Sequence, residues 1–189
     1  MNITVFIGSS RADSNSEQLA DYVLEGLHHK KIDLKNLSIE PIHDLRHDDN
    51  GFQFVDDDYD QIIHALLTSD VVIFATPIYW YSMSGIMKNM VDRLSHAIRD
   101  ERFPQLKEKL QTTEAIVLAV GGDAPYIKGL PMIQQFQYIF DFLKMPFSSY
   151  IIGEANKPGE IRHDEQALAQ ASILNKQLKA RIYPIKKTT

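Results

Sequence analysis

Short runs of apolar residues alternate along the chain with stretches of helical period, and this alternation limits the fold more than any other feature. Ile3–Ile7 is a β-branched run ended by Gly8, after which Leu19, Val23 and Leu27 recur every four residues, as on the buried face of a helix. Residues 32–39 alternate apolar and polar side chains well enough for a second strand, and Ile62, Ile63, Leu66 and Leu67 form a helical stripe. Residues 71–75 and 115–120 are apolar throughout, which suits strands buried on both faces of a parallel sheet. Thr76-Pro77 closes the first of them and Gly121-Gly122 the second. Helical spacing returns at Ile86, Met87, Met90, Val91, Leu94 and Ile98, across residues 132–143, and at Leu168, Ala171, Leu174 and Leu178. A last strand is expected at residues 147–152, ended by Gly153. Five strands thus alternate with five helices.

Parallel neighbours need a crossover connection, usually a right-handed helix, so the expected class is doubly wound α/β with helices on both faces. In such a sheet ligands bind beyond the carboxyl ends of the strands. The loops beginning at Gly8, Thr76 and Gly121 are therefore the places to look. Residues 44–58 are too acidic and aperiodic for core and read as an exposed loop, His28-His29 read as complementing a helix dipole, and Lys186-Lys187-Thr188-Thr189 read as a frayed tail.

Composition removes several classes of function. At 189 residues the chain has the size of one domain, here expected to span 1–189. Its formal charge of -5, with no long basic stripe, argues against nucleic acid as a partner. It has no cysteine, which excludes thiolate nucleophiles, cysteine-held clusters and disulfides, so any redox chemistry must come from a cofactor. No basic segment precedes an apolar helix at the start, and no apolar stretch approaches the ~20 residues of a membrane helix. The expectation is a cytoplasmic protein without a membrane span. His43-Asp44 and His47-Asp48-Asp49 have divalent-ion spacing, but such polar clusters are commonly solvated loops, and no metal is assigned.

Each loop has its own chemistry. Ser9, Ser10, Ser14, Asn15 and Ser16 stand between a strand and a helix start, where hydroxyls and free amides can bind an anion and Arg11 can add charge. Taken alone, the stretch serves equally as an ordinary capped helix start. Tyr79, Trp80 and Tyr81 follow a strand end, with Pro77 stiffening the loop, and can hold a flat ring or form a lid or subunit contact. Gly121-Gly122 lets the backbone approach a ligand closely or simply turns the chain. No Gly-x-Gly-x-x-Gly and no Gly-Lys-Ser/Thr is present, which removes the dinucleotide and triphosphate loops. A two-component receiver domain is removed too, because the first and third strands end in Ile7-Gly8 and Ala75-Thr76 without its aspartates.

Thr76-Pro77-Ile78-Tyr79-Trp80-Tyr81-Ser82-Met83-Ser84-Gly85-Ile86-Met87-Lys88, followed by Asp92-Arg93, resembles over 18 positions the NAD(P)H-dependent FMN reductase and quinone reductase branch of the flavodoxin-like superfamily. Gly8-Ser9-x-Arg11 to Asn15-Ser16 resembles that family's phosphate loop. The resemblance implies a five-stranded parallel sheet of order 2-1-3-4-5. It also implies that Ser9, Arg11, Ser14, Asn15 and Ser16 hold the FMN phosphate, that Pro77, Ile78, Tyr79 and Trp80 line the isoalloxazine, and that Gly121, Gly122 and Asp123 close its other side. Hydride would come from NADPH or NADH and pass to a small acceptor such as a quinone, free flavin or similar planar compound. No side chain is assigned a catalytic role. Tyr79, Trp80 and Tyr126 would wall the acceptor. Asp92 and Arg93, on the expected helix, are read as a surface charge pair that stabilises structure or a dimer rather than touching the flavin, and the aromatic stripe at residues 132–143 as contributing to a homodimer contact or forming an unusually buried core helix. The alternative, a flavodoxin-type electron carrier that docks protein partners without NAD(P)H, calls for a strongly acidic face, and -5 is mild.

Overall fold

The computed structural model describes residues 1–183. β1 (Ile3–Ile7) is buried at every position, and α1 (Asn15–Leu24) covers it with Leu19, Ala20 and Val23. β2 (Lys30–Asp33), α2 (Tyr59–Thr68), β3 (Val71–Tyr79), β4 (Ser82–Met83), α3 (Gly85–Ala97), α4 (Leu106–Leu110), β5 (Glu114–Gly121), α5 (Pro125–Lys128), α6 (Leu130–Leu143), β6 (Phe147–Glu154) and α7 (Glu165–Ile182) follow. The main sheet runs β2-β1-β3-β5-β6, parallel throughout. With the two-residue β4 set aside, this is the expected flavodoxin-like order.

Successive side chains of a strand point to opposite faces, and here that splits the core in two. Val72 and Phe74 of β3, with Val117 and Ala119 of β5, meet α2, α3 and α6. Val71, Ile73 and Ala75, with Ile116, Leu118 and Val120, meet α1 and α7. Phe74 centres the first layer, with Phe6, Phe136 and Phe140 at ring distances of 5.9, 5.8 and 5.2 Å. Each such buried ring contributes about 1.5–3 kcal/mol.

Several expectations need correction. The second strand stops at Asp33 rather than continuing to residue 39, because its partner β1 ends at Ile7. Leu34–Asn36 instead forms a 3-10 turn that tucks Leu34 inward. α1 ends at Leu24 and Gly26 takes φ +71°, so His28 and His29 lie beyond the helix and do not complement its dipole. The short α4, α5 and β4 carry too few residues to show a period.

Arg93 is not a surface partner of Asp92. Lys88 takes Asp92 at 2.6 Å, one turn away, while Arg93 is buried. Its Nη1 donates to Asp57 Oδ2 and to the Glu40 carbonyl, and its guanidinium lies 4.6 Å from the Tyr59 ring. The 44–58 loop is accordingly exposed over most of its length but anchored at its end, where the Asp57 side chain is fully buried. Phe52 and Tyr59 each stack on His96 at 4.8 Å. The Lys186-Lys187-Thr188-Thr189 tail lies outside the described residues.

Candidate functional site

In a parallel sheet every strand ends on the same edge, so four loops meet there, those after β1, β3, β5 and β6. The first is pinned from below. Gly8 N donates to Ala75 O at 2.8 Å, and Ser84 Oγ donates to Gly8 O while capping α3. A Cβ at Gly8 would stand 2.9 Å from Met87 Cβ, so only glycine lets the loop lie this close to α3. Ser14 caps α1, accepting from Glu17 N at 3.2 Å, and its hydroxyl is 3.2 Å from that of Ser16. Ser9 is buried, and its hydroxyl accepts from Arg11 N. The amides of Asn15 and Ser16 fall in the first helical turn, where no intrahelical carbonyl reaches them. Asn15's side chain is committed elsewhere: it donates to Lys157 O at 2.9 Å and accepts from Ile161 N, tying α1 to the loop after β6.

The second loop is a hairpin. Ile78 pairs with Met83 and Tyr79 with Ser82, leaving Trp80 and Tyr81 as a two-residue turn with φ of 49° and 63°. Both signs positive make it the mirror-image turn that normally takes Asn-Gly. Two bulky residues hold it here at a cost of about 1–2 kcal/mol each. Trp80 is 94% exposed, so packing does not offset that cost. Trp80→Asn with Tyr81→Gly is expected to raise Tm by about 2–4 °C for about 1 kcal/mol gained, as a thermal melt would measure.

The third loop closes on the second. A Cβ on Gly121 would lie 3.1 Å from Ile78 Cβ, and one on Gly122 only 2.9 Å from Asn156 Cβ. Asp123 joins Lys128 at 2.7 Å and accepts the Tyr81 hydroxyl at 2.8 Å. Lys128 first, then Tyr81, holds the Asp123 carboxyl below its ordinary range.

Two adjoining cavities result. One, of about 190 Å³, is lined at one end by Ser9, Arg11, Ser14, Asn15 and Ser16, and at the other by Pro77, Ile78, Tyr79, Gly121 and Gly122. The other, of about 150 Å³, shares Ile78, Gly121 and Gly122 with it and adds Trp80, Tyr81, Asp123 and Lys128. Tyr126 lines neither, because its hydroxyl is drawn to the Asp164 carboxylate, and burial followed by that bond raises its pKa. It is not a wall of this site.

Sequence reasoning passed over Ala155, Asn156 and Pro158, which line the larger cavity from the loop after β6. Gly153, next to the end of a fourth parallel strand at the same edge, was the available signal. Lys128 was also missed, while Tyr81, read with its neighbours as able to hold a flat ring, lines the smaller cavity. Among the described residues no group of three or more His, Asp or Glu side chains is placed to hold a metal ion, and no helix is long and apolar enough to cross a membrane.

Residues 1–156 match the family described as NADPH-dependent FMN reductase. The putative NAD(P)H-dependent FMN-containing oxidoreductase YwqN of Bacillus subtilis (strain 168) is 49% identical over 177 residues, covering 94% of this chain and 98% of that protein. A solved structure of the Trp repressor binding protein from Bacillus subtilis is 42% identical with a TM-score of 0.74, covering 91% of this chain and 96% of that one. An FMN-dependent NADH-azoreductase from Bacillus anthracis str. Ames Ancestor, solved in complex with FMN, shares the fold at 14% identity and a TM-score of 0.65, covering 94% and 99% of the two chains. The chain belongs to the NADPH-dependent FMN reductase family of flavodoxin-like oxidoreductases.

Proposed function

We propose that the two adjoining cavities are the halves of one FMN site, with the phosphate at the start of α1 and the isoalloxazine between the aromatic hairpin and the glycine loop. The observation that carries this reading is their continuity, from the hydroxyls of Ser9, Ser14 and Ser16 to Ile78 and Gly121. Neither half alone reaches the roughly 300 Å³ at which ligand pockets begin, and together they do.

The residues fit the group. A terminal phosphate carries about -1.5 to -2 charge near neutral pH and three acceptor oxygens. The Ser9 and Ser16 hydroxyls, the Asn15 and Ser16 amides and the Arg11 guanidinium supply donors for them, while the Asn15 side chain positions the helix start. Gly121 and Gly122 lack the Cβ atoms that would strike Ile78 and Asn156, so the third loop packs against these residues and its backbone lines the cavity together with Pro77 and Tyr79, where it would border a flat ring. Held by these residues, FMN would supply two-electron chemistry between NAD(P)H and a small planar acceptor such as a quinone or free flavin. The protein's part is to fix the phosphate, present ring-edge backbone, and leave an open aromatic face at Trp80. No side chain needs to act as nucleophile or general acid. The Trp80→Asn, Tyr81→Gly protein, though more stable, is therefore expected to turn over planar acceptors more slowly.

Anaerobic addition of NADPH or NADH to the FMN-loaded protein tests the reading. Loss of flavin absorbance near 450 nm is expected with at least one of them. Persistence of colour with both would remove the reductase assignment and favour an electron carrier.

We also read the chain as a single cytoplasmic domain that forms a homodimer. A cysteine-free enzyme drawing on NAD(P)H belongs where that reductant is kept. Tyr138 and Phe142 of α6 are 62% and 72% exposed beside a groove floored by Val91, Leu94 and Ile98, an apolar face of the kind subunits cover. Light scattering after gel filtration is expected to give twice the 21.6 kDa chain mass, and a strict monomer removes this contact.

A further inference from the structure

Tyr81, Asp123 and Lys128 form a closed polar triangle at the rim of the smaller cavity. The Tyr81 hydroxyl donates to Asp123 Oδ2 at 2.8 Å, Lys128 Nζ donates to both Asp123 oxygens at 2.7 Å, and the same Nζ lies 5.7 Å from the centre of the Tyr81 ring. All three residues are exposed. Surface pairs of this kind contribute little to folding. Here the triangle ends on a turn that its own backbone disfavours, with positive φ at both Trp80 and Tyr81. The other side-chain tie of this hairpin, Ser82 Oγ to Gln135 Oε1, lies beyond the turn, on β4.

We infer that Tyr81, Asp123 and Lys128 are positioning residues that hold Trp80 at the mouth of the smaller cavity, where its indole stacks on a planar acceptor. This rests on reading that cavity as the ring end of the flavin site. An indole with 94% of its surface exposed has no packing to fix it, so its placement depends on the turn beneath it. The turn in turn depends on Asp123, which joins the hairpin to the third loop. Lys128, with the Tyr81 bond second, keeps that carboxyl ionised well into acid, so the triangle is intact at neutral pH and is lost as acid protonates Asp123.

Trp80 is the chain's one tryptophan, so its emission reports on the hairpin directly. Tyr81→Phe and Asp123→Ala, each of which removes the bond between these two side chains, are compared with the unaltered protein. In flavin-free protein both are expected to lower Trp80 fluorescence anisotropy. With FMN and saturating NADPH, both are expected to raise KM for menadione about fivefold while kcat stays within about twofold. Lys128→Met, which spares the Tyr81 to Asp123 bond, is expected to show a smaller change in the same direction. Near-wild-type Tm values establish that the variants are folded. Unchanged anisotropy in Tyr81→Phe and Asp123→Ala overturns the proposal whether or not FMN binds, and unchanged KM overturns the role toward the acceptor. Failure of the unaltered protein to take up FMN instead overturns the ring-end reading beneath it.

Discussion

Replacing Ser9, Arg11 and Ser16 together by alanine is expected to weaken FMN binding about a thousandfold, from about 4 kcal/mol of lost interaction. Hydrogen bonds to an ionised phosphate contribute about 1.5–3 kcal/mol each, and three simple losses would exceed that total. The first-turn amides of Asn15 and Ser16 survive the change, however, and retain part of the anion's attraction. Titration of flavin-free protein with FMN, followed by quenching of flavin fluorescence, measures the loss. Unchanged affinity would falsify the phosphate assignment. Asn15→Ala is a different case, since its amide side chain is bonded to the backbone at Lys157 and Ile161. It should loosen the loop after β6 and affect FMN indirectly and less.

Arg93→Met is expected to lower stability by about 3–5 kcal/mol, because it leaves the Asp57 carboxylate buried without its cation. For a chain of this size that is a fall in Tm of roughly 6–20 °C, readable by thermal melt. Coupling it with Asp57→Leu should recover most of the loss, since a buried pair exchanged whole for apolar groups is often neutral. A double variant no more stable than Arg93→Met would show that the bonds Asp57 accepts from the Glu40 and Tyr59 amides, which the leucine also removes, matter as much as its pairing with Arg93.

The same cluster makes the protein sensitive to acid. Burial first, and the Arg93 charge next, hold the His96 imidazole below its ordinary value, with Arg102 acting the same way and Asp100 and Asp57 opposing. The folded chain therefore keeps His96 neutral where the unfolded chain binds a proton. Its contribution is complete above about pH 6.5 and is lost as pH falls below that point and through the folded value. Urea midpoints measured from pH 8 to 5 should fall on the acid side, and less steeply in His96→Phe.

Strand and helix order was legible because a strand buried on both faces must be apolar throughout, as Val71 to Ala75 and Ala115 to Val120 are. The strand ends were less legible: Thr76-Pro77 does not close β3, which pairs on through Ala119 and Val120 and runs to Tyr79, and Gly121 and Gly153 lie within β5 and β6. The chemistry of the first loop was legible for a similar local reason, since Ser14, Asn15 and Ser16 sit where a helix start needs caps. Less could be read where a residue's partner is remote in the chain. Arg93 beside Asp92 looks like a surface pair, yet Asp57 lies 36 residues away and closes on it only when α2 packs against α3. Asn156 carried no signal of its own beyond the nearby Gly153, because its approach to Gly122 forms only when β5 and β6 pair.

The hairpin divides the two sources of information most sharply. From sequence alone, the aromatic run after Pro77 marked a place for a flat ring, since hydrophobic period and residue chemistry are local properties. The backbone sign at Trp80 and Tyr81 is not local: nothing in those side chains favours it, and it is imposed by the pairing of Tyr79 with Ser82 and held by Asp123. The sequence by itself determined the class of fold and the strand-end edge where the two cavities open, and it marked the loop proposed for the phosphate. Tertiary structure alone decided that Tyr126 turns away to Asp164, that Arg93 is buried, and that Tyr81, Asp123 and Lys128 meet. Each of these depends on distances between elements, which no periodicity encodes.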